Sequence, residues 1–319
     1  MKAIVVREFG DPAVMKVEDA PDPKPGAGEV LVRIRAAGVN PVETYIRSGN
    51  YARKPELPFT PGGDGAGEVA AVGEGVKRVK PGDRVYLSGG RGTYAELCVA
   101  PESSVFPLAD QLSFEQGAAV GTPYATAWRA IHIKAQAQPG EWMLVHGATG
   151  AVGSAAVQIG KALGARVIGT AGSAEGRRLV EQLGADAVLD HKDEGHLQNV
   201  AELTGGRGAD VIVELLANVN LGKDLPALAP GGRVVVVGSR GTVEVNPRDL
   251  MQKEGRIEAV MLFNATPEET KRTHAGLAAG FANGTLSPVI ARRFTLAEAP
   301  AAHEAVLEGN HHGKIVLVP

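Results

Sequence analysis

The sequence predicts an α/β protein with two domains. Over residues 1–121, short β-branched runs are separated by Pro/Gly turns, a pattern typical of a β-rich domain. Over residues 122–264, strand-length apolar runs alternate with amphipathic helical stretches, which indicates βαβ units and a parallel sheet. We expect the tail, residues 265–319, to rejoin the first domain as a helix and two short strands.

The second domain is predicted to be a doubly wound parallel sheet, the Rossmann arrangement. Its near-continuous valine run at Val234–Val237 fits a strand that is buried on both faces. Ligands of such sheets lie at the carboxyl ends of the strands. The six predicted strands are residues 141–146, 166–170, 187–190, 210–214, 233–237 and 257–263.

A glycine turn follows the first of these strands, with Gly147, Gly150 and Gly153 spaced three residues apart. Glycines at this spacing let the backbone approach a pyrophosphate, whose charge is met by the N–H groups and dipole of a helix N-terminus. A turn that only packs strand against helix is the alternative. The position after the first strand of a six-strand alternating unit favours a dinucleotide site.

The end of the second predicted strand indicates which dinucleotide binds. Sites specific for NAD usually carry an acidic residue there, about 20 residues after the glycines, to bind the ribose 2′-OH. Here the strand runs into Gly172-Ser173 without an acid, and the basic residues Arg177, Arg178 and His191-Lys192 follow. Missing acid and nearby cations favour the 2′-phosphate of NADPH. Each basic residue alone could equally belong to a solvated surface.

Polar residues also follow the fourth and fifth predicted strands. Val237-Gly238-Ser239-Arg240 ends the fifth strand with a glycine and a hydroxyl, at the edge where a ligand of an open sheet lies. Asn218 and Asn220 follow the fourth strand and are placed to meet the ribose or pyrophosphate. Both could instead be turn residues, because asparagine tolerates left-handed backbone geometry.

Composition excludes several classes of function. The 319 residues carry a formal net charge of −3, so nothing attracts the whole chain to nucleic acid or to an anionic membrane. The N-terminus reads as a strand rather than a signal peptide, and no apolar run is long enough to cross a bilayer. A single cysteine, Cys98, excludes an intramolecular disulfide and fits a reducing compartment, which predicts a cytoplasmic protein.

Five segments together resemble the zeta-crystallin family of NADPH:quinone oxidoreductases, within the zinc-independent medium-chain dehydrogenases/reductases. These segments are Asn40–Gly49, Pro61–Gly67, His146–Gly153, Leu216–Leu221 and Val237–Thr242. The resemblance covers essentially the whole chain. It implies a GroES-like catalytic domain beside the Rossmann domain, a small-molecule quinone substrate and a homo-oligomer, often a tetramer.

The resemblance also implies roles for individual residues. Asn40, Tyr45 and Tyr51 would line the nicotinamide and quinone pocket, although each tyrosine could have a packing role alone. We interpret His146 as structural rather than catalytic. The expected NADPH contacts include three of the basic residues named above. They are Tyr45, Thr149, Gly150, Ala151, Val152, Gly153, Gly172, Ser173, Arg177, Arg178, His191, Asn220, Val237, Gly238, Ser239, Arg240, Val260, Met261 and Leu262.

Zinc alcohol dehydrogenases share this architecture, but their metal ligands are missing here. Asn40 sits where a ligand cysteine would be, and Pro61–Asp64 replaces a Gly-His-Glu segment. One cysteine cannot build a cysteine-rich zinc site, so the sequence predicts no metal. Without a Lewis acid, alcohol oxidation is poorly supported, and an electron-poor acceptor such as an ortho-quinone is favoured.

Two rival functions are also consistent with the sequence. An NADPH-dependent reductase of 2-enoyl thioesters or enones from the same superfamily resembles the chain around Ser48–Tyr51, where a tyrosine donates the proton. A role of another class, as a structural lens protein or a binder of AU-rich RNA, rests on the resemblance alone.

Overall fold

The computed structural model describes residues 1–309 and 311–319, and it divides into two units. Met1–Thr122 and Ser287–Pro319 form the first unit, and Pro123–Leu286 forms the second. No helix among the described residues is both long enough and apolar enough to span a membrane.

The bounds of the secondary-structure elements run in chain order as follows. The strands are β1 (Lys2–Val6), β2 (Met15–Asp19), β3 (Glu29–Val39), β4 (Asp64–Val72), β5 (Arg84–Leu87), β6 (Leu97–Pro101), β7 (Val105–Pro107), β8 (Trp142–Val145), β9 (Arg166–Thr170), β10 (Ala187–Leu189), β11 (Ala209–Glu214), β12 (Leu228–Val236), β13 (Arg256–Ala259), β14 (Ile290–Thr295) and β15 (Lys314–Val318). The α-helices are α1 (Pro41–Arg47), α2 (Phe114–Ala118), α3 (Gly121–Trp128), α4 (Ala151–Leu163), α5 (Ala174–Gln182), α6 (His196–Leu203), α7 (Ala217–Ala227), α8 (Pro247–Lys253), α9 (Pro267–Ala282) and α10 (Ala299–Glu308).

The first unit is built around the long central strand β3. Val30, Val32 and Ile34 alternate along it and are buried in the core, as expected for a strand with one apolar face. The sheet runs β14-β15-β3-β4-β5-β7, with β6 also paired to β3, and all of its pairs are antiparallel except β14 with β15. This is the predicted β-rich unit.

The second unit is a six-stranded parallel sheet in the order β10-β9-β8-β11-β12-β13. Val234 and Val235 of β12 are both 0% exposed, as expected for a parallel strand with neighbours on both sides. The strand order reverses beside β8, since β9 lies on one side of it and β11 on the other. The glycine turn after β8 therefore lies at the switch point where doubly wound sheets bind ligands.

Two boundaries differ from the sequence-based expectation. Strand β13 ends at Ala259, so Val260–Leu262 lies beyond the strand rather than inside it. Residues 265–286, which we expected in the first unit, belong to the second. The reason is the packing of helix α9. The ring centroids of Phe281 and Tyr124 are 5.4 Å apart, and Gly276 of the same helix packs against Trp128.

Gly276→Ala tests this assignment of helix α9. A Cβ at this position would lie 2.1 Å from the Trp128 ring, so we expect overpacking to cost about 1–3 kcal/mol in the free energy of unfolding. Denaturant unfolding of the purified variant measures it. Gly195→Ala is the matched control, because its Cβ would meet only side-chain oxygens at 3.6 and 3.8 Å. Equal stability of the two variants would contradict the packing of α9 on Trp128.

Candidate functional site

The glycine turn after β8 is held by the end of the neighbouring strand β9. The N–H of Gly147 donates to the Thr170 hydroxyl at 3.0 Å, and the N–H of Ala148 donates to the Thr170 carbonyl at 2.9 Å. Gly147 itself has φ +55°, in the left-handed region that favours glycine. Its conformation turns the chain from the strand into helix α4.

Helix α4 begins without a side-chain cap. Gly150 is the N-cap residue in extended conformation, and within residues 1–309 and 311–319 no side chain caps the N–H groups of the first turn. A Cβ on Gly153 would lie 2.2 Å from the Gly147 carbonyl oxygen, so this close packing of helix on turn requires glycine. Thr149, Gly150, Ala151 and Val152 are each partly exposed at the start of the helix. Uncapped N–H groups on a 13-residue helix form a site for an anionic group such as a pyrophosphate.

Two basic side chains from the segment after β10 lie over Gly172, which follows the end of β9. A Cβ on this glycine would lie 2.5 Å from His191 Nε2 and 3.1 Å from Lys192 Cε, so both side chains reach the tip of the strand. Burial lowers the pKa of His191. The next residue, Ser173, caps helix α5 by accepting a hydrogen bond from the Gly176 N–H at 3.0 Å.

The two arginines of helix α5 differ in their surroundings. Arg177 Nη1 lies 2.5 Å from a carboxylate oxygen of Asp190, so this guanidinium already has an anionic partner. Arg178 is exposed. Of the basic residues predicted for the 2′-phosphate, the structure therefore brings His191 together with Lys192 at Gly172 and engages Arg177 with Asp190.

The ends of β11 and β12 lie against each other. The N–H of Val237 donates to the Glu214 carbonyl at 2.8 Å, and a Cβ on Gly238 would lie 2.6 Å from the Leu215 carbonyl oxygen. The Asn218 side chain accepts from the Arg240 N–H at 2.8 Å, which is a turn role for this asparagine. Ser239 donates its hydroxyl to the Gly241 carbonyl at 2.9 Å.

The segment after β13 is fixed by a residue that sequence reasoning missed. Val260, the first residue after β13, is still tied to the end of β12, because its N–H donates to the Val236 carbonyl at 2.9 Å. Arg129, which is 5% exposed, donates to the Met261 carbonyl at 3.0 Å and pairs with Glu269 at 3.0 Å. No local sequence pattern links residues 129, 261 and 269, so their meeting follows only from the fold. Leu262 begins a 3-10 turn.

In the first unit, Asn40 is the centre of a buried polar network. Its amide nitrogen donates to Glu43 Oε1 at 3.1 Å and to Asp64 Oδ2 at 2.9 Å. Its amide oxygen accepts from Lys314 Nζ, which also lies 3.3 Å from Asp64 Oδ2. Both amide hydrogens of Asn40 are therefore engaged inside the protein. Lys314 was not predicted from the sequence, because a lysine in a terminal strand carries no local signal of burial.

The network extends to a tyrosine and a histidine. Tyr94 donates its hydroxyl to Glu43 Oε2 at 3.0 Å, and the same hydroxyl lies 3.1 Å from His303 Nε2. Burial raises the pKa of Glu43, opposed by the nearby Lys314 ammonium. Burial also lowers the pKa of His303 to about 3. The His303 imidazole is accordingly neutral at physiological pH.

Two predicted pocket tyrosines lie close to this network in sequence. Tyr45 is in helix α1, and its carbonyl accepts from the Asn50 N–H at 2.9 Å. Tyr51 follows in the irregular segment after that helix. Both side chains are half-buried rather than in the core.

Comparison with known proteins agrees with this architecture. Residues 26–110 match the family model of the alcohol dehydrogenase GroES-like domain, and residues 151–278 match the model described as zinc-binding dehydrogenase. Quinone oxidoreductase of Homo sapiens is 48% identical over 321 residues, which cover 100% of this chain and 98% of the human protein.

Two solved structures bear on the cofactor. Quinone oxidoreductase of Escherichia coli, complexed with NADPH, superposes with a TM-score of 0.90 at 31% identity and covers 100% of both chains. A structure described as an NAD-dependent alcohol dehydrogenase superposes with a TM-score of 0.94 at 33% identity, also over 100% of both chains.

The GroES-like unit and the Rossmann unit define a medium-chain dehydrogenase/reductase, which confirms the predicted fold class. Within that class, the chain belongs to the quinone oxidoreductase family, because it matches a member along its whole length at 48% identity.

Lys314→Met tests the buried network of the first unit. The Lys314 side chain is 1% exposed and that of Asp64 is 0% exposed, so removing the ammonium leaves a buried carboxylate without its cation. We expect a loss of about 3–5 kcal/mol in the free energy of unfolding, measured by denaturant titration. Lys2→Met is the control, since its pair with Asp19 is exposed and should contribute less than about 1 kcal/mol. A loss as small as that of the control would show that Lys314 does not neutralise Asp64.

Proposed function

We propose that this protein is an NADPH-dependent quinone oxidoreductase that needs no zinc and acts on ortho-quinones and similar electron-poor acceptors. The observation that carries the proposal is the full-length similarity to proteins named quinone oxidoreductase, at 48% identity for the human relative. The glycine turn at the switch point of the second unit supports a dinucleotide there.

The choice of NADPH is supported by the end of β9. No acidic side chain follows that strand directly, and His191 and Lys192 lie over Gly172, where the adenosine ribose of a bound dinucleotide belongs. Arg178 adds an exposed cation nearby. The cationic groups of Lys192 and Arg178 favour a 2′-phosphate over a 2′-hydroxyl, and the His191 imidazole, whose pKa is lowered by burial, offers a ring nitrogen for a hydrogen bond. The relative from Escherichia coli was solved with NADPH.

Zinc independence is supported by the network around Asn40. Asp64 accepts hydrogen bonds from Asn40 and from the backbone and hydroxyl of Thr122, both of the latter at 2.8 Å. The Lys314 ammonium is buried beside the same carboxylate. A dication would have to displace these donors and approach a buried positive charge, which low-dielectric surroundings make unfavourable.

The chain's own residues are then proposed to bind and orient rather than to act as strong acids or bases. Bound NADPH supplies the hydride, and a quinone needs little acid catalysis because its reduced oxygens are stabilised by conjugation. Tyr45 and Tyr51 are proposed to contact the quinone through a ring and a hydroxyl each. Asn40 is proposed to position this segment, since its amide hydrogens bond to Glu43 and Asp64.

We further propose a cytoplasmic homo-oligomer. The edge strand β13 leaves Ile257 42% exposed, and Met251 in helix α8 is 72% exposed. Apolar side chains at an open sheet edge support burial against another copy of the chain.

Turnover with NADPH over a panel of quinones and enones tests the proposed function. We expect NADPH to support the reduction of an ortho-quinone such as phenanthrenequinone at a higher kcat/KM than NADH does. We also expect a zinc chelator to leave the rate unchanged. A preference for NADH would contradict the proposal that the residues around the end of β9 bind a 2′-phosphate. Activity confined to enones would favour the enone reductase instead.

Gly150→Ala tests the pyrophosphate position separately from the fold. The added Cβ would meet only the Gly147 carbonyl oxygen at 3.6 Å, an ordinary contact, so thermal stability should stay near that of the wild type. Because Gly150 is the N-cap residue of α4, we expect the added methyl group to hinder the approach of an anion to the first N–H groups of the helix. We expect the Kd for NADPH to rise about tenfold or more, which corresponds to about 1.4 kcal/mol. Unchanged affinity in a normally folded Gly150→Ala variant would place the pyrophosphate elsewhere; Gly195→Ala serves as the control.

A further inference from the structure

Three ionisable side chains meet in the core of the second unit, directly beneath the glycine turn. His146 is the last residue before the turn, Glu214 ends β11, and Asp224 lies in helix α7. His146 Nε2 lies 2.8 Å from Asp224 Oδ1 and 3.5 Å from Glu214 Oε2. The side chains are 4% exposed for His146 and 0% exposed for both carboxylates.

One oxygen of each carboxylate lacks the partner that a buried charge requires. Within residues 1–309 and 311–319, Glu214 Oε2 and Asp224 Oδ2 receive no hydrogen bond, and the ion pairs of both residues go to His146 alone. Two adjacent negative charges in a dry interior are strongly unfavourable. They must share a proton or hold a cation.

The geometry favours the proton. One hydrogen shared by the two carboxyl groups removes their repulsion, because a carboxyl oxygen of each lies within 4.8 Å of the other, while His146 Nε2 can donate to Asp224 Oδ1 at 2.8 Å. Burial raises the pKa of Glu214 to about 7 and that of Asp224 to about 7, and it lowers the pKa of His146.

Two other titratable groups lie near the cluster. The ring of His196, at the start of helix α6, packs edge-on against that of His146 with centroids 6.4 Å apart. His191, at the end of β10, interacts electrostatically with both His146 and His196. Neither supplies a hydrogen bond to Glu214 Oε2 or Asp224 Oδ2 within the described part of the chain.

Glu214 connects the cluster to the proposed cofactor site. Its other oxygen, Oε1, accepts hydrogen bonds from the Leu216 N–H and from the Asn220 amide at 3.3 Å. Asn220 is a proposed NADPH contact, and His146 directly precedes Gly147. A shift of the Glu214 carboxyl group would therefore displace groups on both sides of the glycine turn.

We propose that His146, Glu214 and Asp224 hold one shared proton and act as positioning residues, so that loss of this proton weakens dinucleotide binding. The inference rests on the proposed function for its ligand. Above neutral pH the two carboxylates repel each other, and Glu214 no longer holds Leu216 and Asn220 in place. The folded chain also binds this proton more tightly than the unfolded chain, in which the carboxyl groups have a pKa of about 4. Stability from this source is therefore lost as pH rises through about 7.

Asp224→Asn is the variant that tests the shared proton. Its amide N–H replaces the proton toward Glu214 permanently, and its carbonyl still accepts from His146. We expect the wild-type Kd for NADPH to rise at least about threefold between pH about 6 and about 8.5, while that of Asp224→Asn stays flat. The Kd for NADH is measured in parallel. NADH lacks the 2′-phosphate, so a pH dependence that it shares with NADPH cannot come from titration of that phosphate. In the absence of any coenzyme, Tm should fall with pH more in the wild type than in the variant.

Asp186→Asn is the matched control, because Asp186 pairs with Lys161 at 38% exposure and should leave the wild-type pH profile unchanged. Parallel profiles for wild type and Asp224→Asn would overturn the proposal. So would a stoichiometric divalent metal in the wild type that the variant lacks.

If NADPH binds at no pH, the proposed function fails, while the Tm profiles measured without coenzyme still decide whether the proton is shared. Should Asp224→Asn not fold, Glu214→Gln replaces it, since its amide can donate to Asp224.

Discussion

The hydrogen bonds from Gly147 and Ala148 to Thr170 are the contacts on which the rest of the second unit's site depends. They tie the chain leaving β8 to the end of β9, at the point where the strand order reverses. Helix α4 can then begin at Gly150 with its first N–H groups uncapped. The backbone alone thus provides the positive end of a dipole at a sheet edge.

Each unit also buries charged groups, and each compensates them differently. In the first unit the Lys314 ammonium neutralises Asp64 and holds the amide of Asn40. In the second, the pair of Glu214 and Asp224 has no such cation within the described residues. A buried charge without compensation is costly, so the lysine and the proposed proton serve the same physical need.

Periodicity and glycine spacing predicted most of the fold. The second unit's six strands were all expected, because buried parallel strands read as apolar runs and their order follows from βαβ connections. The end of β13 was predicted too late, because Val260–Leu262 continues the apolar run past Ala259, where the strand ends. Helix α9 was expected in the other unit, because contacts such as Gly276 on Trp128 join residues far apart in sequence. The roles of Arg129, Lys314 and Glu214 could not be predicted either, since each depends on partners brought together only by folding.

A crystal structure of the protein with NADPH tests the central claim most directly. We expect the pyrophosphate on the N–H groups at the start of α4 and the 2′-phosphate beside His191 and Lys192. A dinucleotide bound away from the carboxyl ends of the parallel strands, or a 2′-phosphate without a basic contact, would contradict it.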